Sequence, residues 1–303
     1  MELSDGVNIE NIRENVNITT FFDYKSEVNK NTKIIICGIP LDISASFKSG
    51  CKFGPDILRI VSKTVESFSP YFKIDIADFP VADIGNMKLS FDSYSFLRDI
   101  EESVFKILIN KYIPIFIGGE HTVTLPIINV FKKFFDDFVI IQFDAHLDLR
   151  EEYQNDKYSH ACVMRRIFDE LNFKNIIQIG CRAYTKNELD YANSNTNFFF
   201  DIKENIGKIL DIIKDKNVYL SIDVDYFDPA FIPEVGTPEP NGFAYSDFLF
   251  FLDEINKLQK QSKTKIIGSD VVELSPTGII YNNSSVFVAN LIRDLLIVLY
   301  NIY

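Results

Sequence analysis

Residues 139–148 read VIIQFDAHLD and residues 218–229 read VYLSIDVDYFDP. Each is an almost continuous apolar run that ends in carboxylates, the pattern of a strand buried on both faces whose last residues emerge at a sheet edge. Similar short runs recur along the chain. Eight candidate strands stand at 33–37, 73–77, 113–117, 138–143, 175–179, 197–200, 218–224 and 265–271. Between them apolar residues return at helical spacing, as in Phe96, Ile100, Val104 and Leu108, or Phe248, Leu252 and Ile255. Strands alternating with amphipathic helices predict an α/β fold, a three-layer α/β/α sandwich around a mainly parallel sheet of about eight strands. The stretch from Ser284, with Val286, Leu291, Leu295 and Leu299 around Arg293 and Asp294, predicts a packed terminal helix.

In such sheets ligands bind at the carboxyl ends of the strands, and the unusual polar residues fall there. The first run delivers Asp144, His146 and Asp148; the second delivers Asp223 and Asp225; His121 follows the apolar IPIFIGG of residues 113–119. A spacing of two places Asp144, His146 and Asp148 on one side wherever the chain stays extended, and likewise Asp223 and Asp225. Four aspartates gathered at an apolar rim repel one another, and neither run contains a Lys or Arg to offset them. Two divalent cations would balance the four charges, with His121 and His146 as neutral nitrogen ligands. Carboxylate-rich ligation with a minority of imidazole favours Mn²⁺, while ligand type alone leaves Fe, Co, Ni and Zn open.

The chain has 303 residues, 47% of them hydrophobic and 24% charged, which fits a globular fold and excludes an extended disordered one. A net charge of −12 repels a phosphate backbone and attracts cations, so nucleic acid is a poor partner and a cationic small molecule a better one. No apolar run approaches the ~20 residues of a membrane span, and the polar, acidic start lacks the pattern of a secretory signal. Cys37, Cys51, Cys162 and Cys181 are scattered without a CxxC pair, as in a reducing cytoplasm. The whole chain, 1–303, reads as a single domain in which the Asn- and Glu-rich residues 1–30 are loosely attached.

GGEHT (118–122), DAHLD (144–148) and SIDVDYFDPAFIPEVGTPEPNG (221–242) resemble, in order, three motifs of the ureohydrolase family, which includes arginase, agmatinase and formimidoylglutamase. GIPLD with KFGPDILR near the N-terminus and SDVVELSP near the C-terminus are similar to agmatinase-like members. The resemblance implies an arginase-like fold and two Mn²⁺ ions. His121, Asp144, Asp148 and Asp223 would hold one, and Asp144, His146, Asp223 and Asp225 the other, with Asp144 and Asp223 bridging. It further implies hydrolysis of a guanidino group by a bridging hydroxide. Asp148 is counted among the catalytic residues as well as the ligands, Glu273 would pair with the guanidinium, and His160 in YSHACVMRR would carry a proton to the departing amine. Agmatinase-like members usually have Gly and Thr where this chain has Ala161 and Cys162, and Cys162 reads as a packing residue. Glu120 stands at a position the motif leaves free.

Arginase's Ser-Gly-Asn stretch ahead of the histidine has no counterpart in LREEYQNDKYSH (149–160). An acidic loop of Glu151, Glu152 and Asp156, with Glu234 near the mouth, is more compatible with a substrate positive at both ends. The reading is agmatine to putrescine and urea, a step of polyamine biosynthesis, by a cytoplasmic homo-oligomer, trimer or hexamer. Arginase, a guanidino-acid hydrolase and formimidoylglutamase are the alternative activities, and a catalytically inactive binding protein of the same fold is the alternative of another class.

Overall fold

The computed structural model describes residues 19–92, 94–276 and 281–300. In chain order the strands are β1 (Ile34–Ile39), β2 (Phe68–Ser69), β3 (Ile74–Asp75), β4 (Val81–Asn86), β5 (Ile113–Gly118), β6 (Phe138–Phe143), β7 (Ile176–Ile179), β8 (Asn197–Phe199), β9 (Asn217–Asp223) and β10 (Lys265–Val272). β2 and β3 form an antiparallel pair of their own, and the other eight form one parallel sheet in the order β4-β1-β5-β10-β9-β6-β7-β8.

The helices are α1 (Gly54–Ser62), α2 (Ser95–Ile109), α3 (Thr124–Phe134), α4 (Val163–Asp169), α5 (Lys186–Asn195), α6 (Ile202–Ile213), α7 (Tyr245–Gln261) and α8 (Asn283–Tyr300). α1, α6, α7 and α8 pack on one face of the sheet and α2 to α5 on the other. Alternate strand residues feed the two cores: Val139, Ile141 and Phe143 of β6 point into the first, Phe138 and Ile140 into the second. That is why the strand is apolar throughout instead of alternating.

One expected strand is misplaced. Of 73–77, only Ile74 and Asp75 are paired, in the small hairpin, and the eighth strand of the sheet is β4, VADIGN. Asp83, Gly85 and Asn86 hide β4 from an apolar scan, yet Asp83 is buried there because Arg59 of α1 grips it with two bonds, Nε to Oδ2 at 2.8 Å and Nη2 to Oδ1 at 3.0 Å. This gives KFGPDILR its structural purpose. The carboxylate also accepts the backbone N–H of Phe21 at 2.8 Å, and Phe21 and Tyr24 are buried. Residues 21–24 are therefore anchored, unlike the loose attachment expected of 1–30; residues 1–18 lie outside the described residues.

α8 is long and apolar enough to cross a membrane by length and composition alone, but 72% of it is buried inside the fold. Its two charges, Arg293 and Asp294, pair with each other at 3.0 and 3.1 Å, and Tyr245 donates to Asp294 Oδ2 at 2.6 Å.

Candidate active site

Four neighbouring strands at the middle of the sheet, β5, β10, β9 and β6, end side by side and deliver His121, Glu273, Asp223 with Asp225, and Asp144 with His146 and Asp148. Only Asp223 lies within a strand. Asp144 follows the end of β6, Asp225 sits in a 3₁₀ turn (Val224–Tyr226), and Asp148 adopts a left-handed backbone with φ +53°. Turns, not strand alternation, bring the carboxylates together. Left-handed φ values at Asp148 and at Glu273 (+66°) hold strain where the side chains converge.

His121 Nδ1 faces Asp148 Oδ2 at 3.0 Å, Asp144 Oδ2 at 3.1 Å and Asp223 Oδ2 at 3.3 Å. His146 Nδ1 lies 2.9 Å from Asp225 Oδ2 and 3.5 Å from Asp144 Oδ1. Asp144 thus turns one oxygen to each histidine. The groups His121, Asp144, Asp148 and Asp144, His146, Asp225 each bring three donor atoms within 4.8 Å of one another, and they share Asp144. Asp223 stands beside the first group through its approach to His121 Nδ1, and its Oδ1 accepts the Asp225 N–H at 2.9 Å.

The donor set fits a pair of cations. His121 Nε2 lies 2.9 Å from Ser221 Oγ, which donates to Asp270 Oδ1 at 2.8 Å. The serine hydrogen is spent on the aspartate, so the imidazole donates through Nε2, which leaves Nδ1 as the ligating atom whenever the ring is neutral. That Nδ1 is buried and makes no well-formed hydrogen bond despite three carboxylates around it, which is the geometry of a ligand atom. No Lys or Arg among the described residues forms an ion pair with Asp144, Asp148, Asp223 or Asp225. Burial and the charge of Asp144 push Asp148 up to about 7, and burial with Asp225 raises Asp223 far above the carboxylate range. Burial opposes charging of His121 and His146, but the adjoining aspartates override it and raise both. Cations at the centre of the cluster would relieve the same repulsion without protons.

A cleft of about 490 Å³ opens above the cluster, with His146, Asp148, Arg150, Tyr153, His160 and Glu239 on its walls. His160 starts a 3₁₀ turn (His160–Cys162), and burial followed by the charges of His146 and His121 lowers it to about 4. Glu273 does not line the cleft; it is buried, and its Oε1 accepts the His121 N–H at 2.8 Å. Burial and Glu120 raise its carboxyl well above the usual range. A Cβ on Gly236 would come within 2.8 Å of Glu273 Oε2, so a side chain there would crowd that oxygen.

Two expectations about acidity change. Glu151 and Glu152 are exposed and off the cleft, and Asp156 is occupied by Tyr94 Oη and Tyr158 N–H. Glu234 is paired with Lys48 at 2.9 Å instead of sharpening the charge of the mouth. Besides Asp148, the carboxylates on the wall are Glu188, from the first turn of α5, and Glu239. Glu239 Oε1 is 3.8 Å from His146 Nε2. Its loop is clamped by Arg182, which donates to the carbonyls of Asp225 at 2.8 Å, Glu239 at 3.0 Å and Pro240 at 3.0 Å. Neither Glu239 nor Arg182 stands out in the sequence, because each acts through a loop conformation. Ser221 and Asp270 do leave a signal, as polar residues inside otherwise apolar strands. Cys162 is buried, and burial pushes its thiol up to about 12, as suits packing.

The chain resembles known proteins over most of its length. The chain is 32% identical over 271 residues to an agmatinase of Halalkalibacterium halodurans, covering 88% of this chain and 92% of the relative. It is 34% identical over 253 residues to an agmatinase of Bacillus subtilis, covering 82% and 85%. The solved agmatine ureohydrolase of Thermoplasma volcanium superposes with a TM-score of 0.80 at 32% identity, covering 95% of this chain and 96% of that one. The Arginase family model matches residues 32–298, a span that includes every strand end from which the aspartates and histidines converge, and the chain accordingly belongs to the arginase family.

Proposed function

We propose that this enzyme hydrolyses agmatine to putrescine and urea. The observation that carries the choice of substrate is the state of Arg150, the one Lys or Arg among the described lining residues. Its Nε sits 3.6 Å from Glu188 Oε2 and its guanidinium lies over the Tyr153 ring at 4.5 Å. It is already partnered, so the cleft offers a substrate carboxylate no free cation, while Glu239 offers a substrate ammonium an anion. The two relatives named agmatinase and the solved agmatine ureohydrolase support the same reading.

His121, Asp144, Asp148, Asp223, His146 and Asp225 would hold two Mn²⁺ ions. Bound there, the ions supply an acidified water at neutral pH and offset the negative charge that develops during attack. Glu273 orients the planar guanidinium as a carboxylate acceptor, the arriving cation offsetting the burial and the charge of Glu120 that raise its carboxyl. His160, on the wall, takes a proton from the attacking water and returns it to the amine nitrogen as the C–N bond breaks and its electron pair leaves with nitrogen. Asp148 fixes the reacting geometry from the left-handed turn beneath them.

We further read 1–303 as a single ureohydrolase domain working in the cytoplasm as a homo-oligomer, trimer or hexamer, in polyamine biosynthesis. The decisive experiment measures urea release by Mn²⁺-reconstituted protein from agmatine, arginine, guanidinobutyrate and guanidinopropionate, and formamide release from formimidoylglutamate. Agmatine should lead. Equal or faster turnover of arginine would overturn the assignment of substrate, and no turnover of any would favour a binding protein.

A further inference from the structure

Residues 42–50 form a loop at the mouth of the cleft, and Ser44 in it meets His160 twice. Ser44 Oγ accepts the backbone N–H of His160 at 3.0 Å and lies 3.0 Å from the ring Nδ1. The same oxygen is 2.9 Å from Glu120 Oε1. Glu120 is only 1% exposed, and its Oε2 accepts the N–H groups of Ile43 and Ser44, both at 2.7 Å. The residue at the free position of the His121 motif thus secures a loop 76 positions away.

A hydroxyl has one hydrogen to give and two lone pairs to accept with. Ser44 has two candidate acceptors for its hydrogen, and a carboxylate oxygen is the stronger. The hydrogen goes to Glu120, one lone pair takes the His160 backbone N–H, and the other is left for the ring. Nδ1 must then be a donor. His160 Nε2 makes no hydrogen bond among the described residues, and the ring lines the cleft. Tyr153 and the imidazole pack in a T-shaped arrangement with centroids 6.0 Å apart, which limits rotation of the ring.

We infer that Ser44, anchored by Glu120, is a positioning residue that holds His160 as the Nδ1–H tautomer and keeps Nε2 turned to the cleft as its proton-carrying atom. The role in turnover rests on the proposed function, whereas the tautomer does not. The balance of the step is simple: Nε2 gains one proton from the attacking water and loses one to the departing nitrogen, and Nδ1 keeps its hydrogen on Ser44 throughout.

The test is long-range ¹H–¹⁵N correlation on full-length, histidine-labelled protein loaded with diamagnetic Mg²⁺, with His160 assigned by the His160→Gln variant. The wild type should have Nδ1 protonated and Nε2 bare. Ser44→Ala should mix the tautomers and lower kcat roughly tenfold to a hundredfold, as loss of an orienting hydrogen bond does, with KM and metal content held. Ser44→Thr, which keeps the hydroxyl, should restore both the spectrum and kcat. An Nε2–H pattern for His160 in the wild type overturns the inference even if no Ser44 variant folds, and so does Ser44→Ala with unchanged spectrum and kcat. The spectrum needs no substrate, so failure of the agmatine assignment leaves this result readable.

Discussion

Glu273 and His121 are joined across 152 residues of sequence by one bond, Glu273 Oε1 accepting the His121 backbone N–H at 2.8 Å. The proposed guanidinium partner thereby also sets the position of a proposed metal ligand. The two roles separate by substitution. Glu273→Gln keeps an acceptor for His121 and loses only charge, so metal content should hold while turnover of every guanidino substrate falls by roughly a hundredfold or more. Glu273→Ala should lose metal as well. Metal analysis beside kcat checks both, and full activity of Glu273→Gln would remove the residue from substrate binding.

Asp223 Oδ2 lies 3.3 Å from His121 Nδ1, and its Oδ1 is tied to the Asp225 N–H. Wild-type protein reconstituted with Mn²⁺ should bind about two ions per chain, and Asp223→Asn, with one charged oxygen fewer, should bind fewer than two. Activity should disappear on chelation and return with Mn²⁺. A thoroughly demetallated sample with full activity would refute the metal centre.

The buried Arg59–Asp83 pair ties α1 to the edge strand β4 far from the cluster. Removing one partner of such a pair strands a buried charge, at a cost of about 3–5 kcal/mol. Asp83→Ala should lower the urea midpoint accordingly, and it also frees the Phe21 N–H. Residual folded protein should still bind metal. A loss below about 1 kcal/mol would mean that the pair contributes little beyond packing.

The thiols of Cys37 and Cys162 are pushed up to about 12, in both cases chiefly by burial. At pH 8 the thiolate fraction at such a site is about one in ten thousand, so folded protein should resist iodoacetamide and unfolded protein should label at all four cysteines. Between the unfolded value near 8.5 and the folded value, the unfolded chain binds fewer protons, so these thiols stabilise the fold below that window and lose the contribution as pH rises through it. Rapid labelling of native protein at pH 8 would contradict the burial.

The parts of this architecture that were legible beforehand are those written locally. Apolar runs ending in Asp144 and Asp223 announced both the strands and the side chains they deliver, because a doubly buried strand admits few polar residues before its end. β4 was not legible, since the charge that marks it as irregular, Asp83, is offset by Arg59 from another element. Ser44, Arg182 and Glu239 were hidden for the same reason. Each gains its place from a contact 43 to 116 residues distant, and no spacing rule reports that. The acidic loop at 151–156 misled in the opposite sense: its charge is real, but turn geometry aims it at solvent.

The selectivity of the cleft should therefore lie with Glu239 and not with Glu151, Glu152 or Glu234. Agmatine should exceed arginine in kcat/KM by at least about a hundredfold, since bringing a carboxylate to a wall without a free donor costs roughly 3 kcal/mol. Glu239→Gln should raise KM for agmatine by roughly tenfold while changing kcat little, because it removes binding energy used equally in the ground and transition states. The same variant should leave arginine unaffected or slightly improved, as its carboxylate no longer meets a like charge. Glu151→Gln and Glu152→Gln, exposed and off the cleft, should act only through long-range attraction, so any effect should vanish in about 0.5 M salt, whereas the Glu239 effect should persist. If Glu151→Gln, Glu152→Gln and Glu239→Gln all respond alike to salt, the preference belongs to the net charge of −12 and not to a cleft residue.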